Sequence, residues 1–171
     1  MKADLSTGLV SELSSLQGII GGEYARLAGW SENIVHALSV QYSPENAKND
    51  VARAVIAADQ LDKLAGYLGL GLAPTGSSDP FGLRRAVTVL IELSWNGSDS
   101  RSWLPAFHSA LAQYKDIELD PEKAEASLAD IFAGRYKALA PEARYDLLEA
   151  AMLESNREEL LNPNAVRSRL A

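Results

Sequence analysis

AADQLDKLAGYLGLGLAPTGSSDPFGLRR, residues 57–85, reads as the end of a buried helix, a loop rich in Gly, Pro and Ser, and the start of a second helix. Val51, Val55, Ala58, Leu61, Ala65 and Leu68 recur at three- and four-residue steps, which places a single apolar stripe on one helix face. Gly69 and Gly71 predict its stop, because glycine adopts the left-handed conformation that closes a helix at little steric cost. Asp79-Pro80 predicts an immediate restart. An aspartate N-cap accepts orphan backbone N–H groups, and proline fits the first helical position, where no N–H is needed. On that reading Arg84 and Arg85 stand one turn into the second helix, beside the loop.

Outward from this pair the pattern stays helical. Upstream, a short helix is expected over Asp4–Glu12 and a longer one over Ser14–Ala28, with Leu16, Ile19, Ile20, Tyr24 and Leu27 on its apolar side. Ser31 caps a further helix through Tyr42, which Pro44 ends. Downstream, Pro80–Trp95 offers Phe81, Leu83, Val87, Leu90 and Ile91 for packing, and Asn96–Ser100 (NGSDS) is a turn. Helices are then expected from Trp103 to Tyr114, and from Asp120-Pro121 to Leu139 with Leu128, Ile131, Phe132 and Leu139 as the stripe. Pro141 opens another carrying Tyr145, Leu148 and Met152, and Asn162-Pro163 opens a last short one. No stretch alternates with period two between hairpin turns, so the expected fold class is all-α, a helical bundle with little or no sheet.

Composition fits such a fold. The 171 residues are 47% apolar and 23% charged, as in ordinary soluble domains. Cysteine is absent, which removes disulfides, thiol nucleophiles and cysteine metal sites. No apolar run is long enough to cross a bilayer, and the N-terminus does not read as a signal peptide. A net charge of −7 argues against a protein that grips nucleic acid over its whole surface, while leaving room for a local basic patch.

Candidate chemistry is sparse. His36 and His108 lack any Ser/Asp partner order or metal spacing, and read as surface or partly buried helix residues. Asp59 and Asp62 stand three apart on a helix, a spacing open to paired-carboxylate or divalent-cation work. With Lys63 four residues after Asp59, the plainer reading is a helix-face ion pair. The loop Pro74-Thr75-Gly76-Ser77-Ser78 has turn composition but no Gly-Lys-Ser/Thr ending, and Asp79 occupies the cap where a phosphate would sit. Arg84 and Arg85 are the best phosphate contacts, with Lys2 and Lys63 as further cations. Adjacent helical residues point about 100° apart, so one arginine is expected to bind a core carboxylate such as Asp59, Asp62 or Asp79 while the other faces solvent.

The wording of the central stretch resembles the β subunit of the bacterial two-subunit glycyl-tRNA synthetases. That family carries an A-D-K-L-D-T-L-x-G helix followed by P-T-G-S-x-D-P-F-x-L-R-R. Ala58, Asp59, Leu61, Asp62, Leu64 and Gly66 match the first part. Pro74, Thr75, Gly76, Ser77, Asp79, Pro80, Phe81, Leu83, Arg84 and Arg85 match the second, with Ser78 where the family commonly has Lys. Near the N-terminus, Lys2, Asp4, Leu5, Thr7, Val10, Glu12, Gln17, Gly18, Gly21, Tyr24 and Ala25 fall in register with the family as well. The resemblance is dense over residues 2–95 and thin over 96–171, where Phe132, Arg135, Arg144, Tyr145, Asp146 and Ala150 echo it.

What the resemblance implies is a portion of such a subunit: residues 1–95 as the rear part of a helical domain similar to HD-type phosphohydrolases, and 96–171 as a helical extension leading toward an anticodon-binding-like region. Asp4, Asp59, Asp62, Pro74, Thr75, Gly76, Asp79 and Pro80 are then its structural signature; Asp59 looks like the last aspartate of the HD metal pattern, and Asp4 like the Asp of its His-Asp pair. Ala3 stands where the partner histidine belongs, so metal-dependent hydrolysis is not expected. The implied partners are glycine tRNA and the synthetase α subunit, with neither DNA nor a membrane. The implied setting is cytoplasmic. ATP with Mg is implied for the whole enzyme, and no cofactor, metal or catalytic residue within this chain. An HD-type phosphohydrolase and a purely structural helical interaction module are the alternative functions.

Overall fold

The computed structural model describes residues 2–97, 100–139, 146, 149–150, 152 and 156–169. Among them the protein is all-α, and the nearest approach to sheet is one isolated bridge between Thr75 and Ser78. The chain divides into two compact units, Met1–Asp59 and Gln60–Ala171, with the boundary inside the long helix Asp50–Gly69.

The first unit begins with a 3-10 turn, Ala3–Ser6, and helix α1, Gly8–Glu12. The single helix expected over 4–12 breaks at Thr7, whose extended backbone and hydroxyl cap the amide of Val10. The helix expected over 14–28 also breaks. A 3-10 turn, Ser14–Leu16, gives way to Gly18 at φ 80°, and α2 is Ile19–Leu27. The Gly18 amide that this break exposes is taken by the Asp4 carboxylate at 2.7 Å. Helix α3, Glu32–Ser39, packs on α2 and ends short of Tyr42 in a turn closed by Ser43 N–H to the Val40 carbonyl.

The inward face of α2 is not the expected one. Gly22 and Ala25 are buried, while Ile19, Tyr24 and Leu27 are exposed, Leu27 at 83%. The reason is close packing: a Cβ on Gly22 would lie 1.8 Å from Ser39 Oγ and 3.2 Å from the Val35 carbonyl oxygen. Small residues admit the backbone of α3, and that approach outweighs burial of the larger side chains. In α4, Asp50–Gly69, the buried residues of this unit are Ala52, Ile56 and Ala57 rather than Val51, Val55 and Ala58.

In the second unit α4 continues with Leu61, Leu64, Ala65 and Leu68 buried, so the expected stripe holds from Leu61 onward. Next come α5, Leu83–Trp95, α6, Leu104–Leu111, α7, Pro121–Leu139, α8, Arg157–Leu160, and α9, Pro163–Ser168. Helix α7 packs on α5, α6 and α8, and α9 on α5 and α8. Leu90, Ile91, Phe107, Leu128 and Phe132 are fully buried in the core. Tyr136 donates its hydroxyl to the Leu160 carbonyl at 2.8 Å, and Trp95 Nε1 donates to that of Pro163 at 3.1 Å, which fixes the C-terminal helices by long-range polar contacts. The expected caps at Asp120 and Asn162 form as read, accepting from the amides of Lys123 and Ala165. The helix expected from Pro141 with Tyr145 and Leu148, the Arg144 echo, and Ser98-Asp99 of the NGSDS turn lie outside the described residues. Met152 is helical.

Candidate nucleic-acid interface

The second unit holds the loop that the sequence singled out. Its entry is a Schellman-type helix end. Gly71 at φ 74° donates its N–H to the Leu68 carbonyl, and Leu72 donates to that of Tyr67, both at 2.9 Å. Gly69 remains helical, and a Cβ there would press on the Leu119 side chain at 2.9 Å. Within the loop, Thr75 and Ser78 exchange backbone hydrogen bonds across Gly76, whose φ is 52°.

The exit differs from the expected Asp79-Pro80 helix start. Gly82 at φ 65° is the N-cap residue, α5 begins at Leu83, and Pro80 sits in the preceding turn. Asp79 still does the capping, from further back. Its two carboxylate oxygens accept the N–H groups of Leu83 at 2.8 Å and Arg84 at 3.0 Å. Arg84 and Arg85 therefore occupy the first turn of α5.

The two arginines point in different directions, but neither guanidinium binds Asp59, Asp62 or Asp79 as expected. Arg84 turns back over the loop, Nη2 donating to the Gly76 carbonyl and Nη1 to that of Ser78 at 3.3 Å. It ties the loop to α5 through carbonyls rather than through a carboxylate. Arg85 is exposed and has no hydrogen-bond or ion-pair partner among the described residues. Lys63 Nζ donates to Gln60 Oε1 at 3.3 Å instead of pairing with Asp59. Asp62 accepts the Tyr114 hydroxyl at 3.0 Å, and burial first, then this bond and the carboxylate's charge, raise the Tyr114 phenol above its ordinary range. Phe81 is not a packing residue of α5. It stacks on Tyr67 with ring centroids 4.1 Å apart and stays 38% exposed. The aromatic pair escaped the sequence reading because Tyr67 and Phe81 lie on opposite sides of a loop whose closure no periodicity reports.

The first unit carries the other signature residues. Lys2 Nζ meets Asp59 Oδ1 at 2.5 Å. Asp4 is 3% exposed, accepting the Gly18 amide and, at 3.2 Å, the Tyr42 hydroxyl. Burial chiefly, with the charges of Asp4 and Asp59 adding, holds the Tyr42 phenol above its usual range. His36 Nε2 accepts the Lys48 amide at 3.3 Å, and in the second unit His108 Nε2 pairs with Glu125 at 2.8 Å. Among the described residues no group of three or more His, Asp or Glu side chains gathers as metal ligands.

The sequence profile of the family described as glycyl-tRNA synthetase beta subunit matches residues 1–153. The chain belongs to this family. Relatives named glycine–tRNA ligase beta subunit include those of Oenococcus oeni, 33% identical over 94% of this chain, and Clostridioides difficile, 32% over 88%. That of Acinetobacter baumannii is 38% identical over 80%. The chain spans about a quarter of the length of these relatives, 25%, 23% and 21% respectively.

Proposed function

We propose that this β-subunit chain positions glycine tRNA for ATP-dependent glycylation by a complete two-subunit ligase, in the cytoplasm, and catalyses no step by itself. Residues 1–95 then serve as the HD-like part and 96–171 as the extension toward an anticodon-binding-like region, with the α subunit as protein partner. Arg85 carries the reading: a cation in the first turn of a helix, exposed, beside a loop that Arg84 and Asp79 hold in one shape. An arginine fork with no protein acceptor suits a phosphate oxygen. Lys63, whose Nζ donates to the neutral Gln60 amide, is the next candidate. Lys2 and Arg84 already engage protein groups, so their proposed contribution to tRNA is to shape the surface.

The loop does not fit a nucleotide triphosphate. The amides of Leu83 and Arg84 that would meet an anion at this helix start are filled by Asp79, whose own charge opposes a phosphate. ATP and Mg are accordingly assigned to the remainder of the enzyme.

Titration against glycine tRNA and an unrelated tRNA, at low and physiological salt, tests the proposal. Binding should weaken as salt rises, and R85A should weaken it further while lowering the salt slope by about one phosphate contact. No binding at low salt would overturn direct contact. A second reading, a helical protein-interaction module, is favoured by the exposure of Leu27 and Trp30 in the first unit. It requires a defined complex with the α subunit and no RNA affinity.

A further inference from the structure

We infer that Phe81, backed by Tyr67, is a stacking platform for an unpaired RNA base, with Arg85 holding the adjoining phosphate. This rests on the tRNA-contact reading above and names the part of the RNA that this site takes. Phe107 and Phe132 are completely buried, whereas Phe81 keeps 38% of its surface open although one ring face already lies on Tyr67. A phenylalanine left at the surface in a near-parallel stack, 17° between ring planes, suits continuation of that stack by a base.

The platform is also held in place before any ligand arrives. Asp79, two residues before Phe81, is fixed by the amides of Leu83 and Arg84. Gly76 and Ser78 are tied to the Arg84 guanidinium, and Thr75 and Ser78 bond each other. Little ordering of the loop remains to oppose binding. Arg85 lies four residues after Phe81 in the sequence and is exposed, so a base and a phosphate have separate candidate partners. Stacking is tolerant of base identity, so the site should select unpaired over paired RNA rather than one sequence.

The test compares the intact chain with F81L, F81W and R85Q. The probes are a glycine tRNA transcript, a short single-stranded RNA and a blunt duplex of the same sequence. F81L should lower affinity for the tRNA and the single strand about tenfold, with the duplex unaffected. F81W should restore both. Thermal melts of each variant separate a lost site from a lost fold, and F81W keeps the test decisive if F81L melts early. If R85Q weakens RNA binding while F81L leaves it unchanged, Phe81 takes no part in holding RNA. The stacking inference is then overturned while the tRNA reading stands. Failure of the parent chain to bind any of the three RNAs at low salt overturns both.

Discussion

Removing the Asp79 side chain should show how much of the loop's order rests on one carboxylate. Asp79 accepts two of the amides that a helix start leaves without partners, those of Leu83 and Arg84. Losing a side-chain N-cap costs about 1 kcal/mol, in a range of about 0.5–2. A carboxylate at the positive end of the helix dipole contributes roughly 0.3–1 kcal/mol more. Leu83 is fully buried, which limits how well water can replace the carboxylate at its amide, so D79A belongs toward the upper part of that range. We expect a loss of about 2 kcal/mol, or a melting point lower by about 4–8 °C for a chain of this size. D79N keeps one acceptor oxygen and no charge, and should lose roughly half as much. Urea unfolding followed by circular dichroism, with an unchanged m-value, measures both variants. RNA affinity should fall with D79A as well, since the loop it releases carries Phe81 and leads into Arg85. A D79A protein within about 0.3 kcal/mol of the parent would refute this account of the helix start.

Two further substitutions test the units separately. Helix propensity alone makes G22A a gain of about 1 kcal/mol, but the new methyl would meet Ser39 Oγ at 1.8 Å. Overpacking of about 1–3 kcal/mol should win, leaving G22A less stable, and S39G should relieve part of it in a double-mutant cycle. A stabilised G22A would show that α2 and α3 are not so closely packed. In the second unit the hydrogen bond from His108 first, then Arg157, holds the Glu125 carboxyl below its ordinary 4.5. A lowered folded-state pKa stabilises the protein above about pH 4.5, and that contribution is lost as pH falls through the folded-state value. The stability gap between the parent and E125Q should therefore be open near neutrality and narrow below about pH 4.5. A gap unchanged across that range would remove Glu125 from the ion pairs joining α6, α7 and α8.

Three Asp-Pro or Asn-Pro pairs stand in the sequence, and what the structure does with each shows how far local chemistry reaches. Asp120-Pro121 and Asn162-Pro163 open α7 and α9 directly, because the residues after each proline continue the helix without interruption. Asp79-Pro80 is followed by Gly82 in the left-handed conformation, so the chain makes one more turn and the same carboxylate caps from a greater distance. The Gly82 signal was in the sequence, two residues beyond the proline, and it predicts a turn once it is weighed against the cap. The α2 helix is a different case. Its apolar residues gave a plausible stripe, yet the buried face is Gly22 and Ala25, since the value of a small residue depends on a partner helix that periodicity cannot see. Helix α4 is read correctly from Leu61 onward and displaced before it, because a helix shared between two compact units serves two cores, whereas a single stripe assumes one. The same limit governs the site. That only one of Arg84 and Arg85 would be spent on the protein follows from helix geometry alone. Which one depends on loop carbonyls at Gly76 and Ser78, whose positions are set by Thr75, Gly76 and Asp79 together. Two arginines that the sequence does not tell apart thus become a structural clasp and an exposed cation, and substituting them one at a time, rather than jointly, separates the roles.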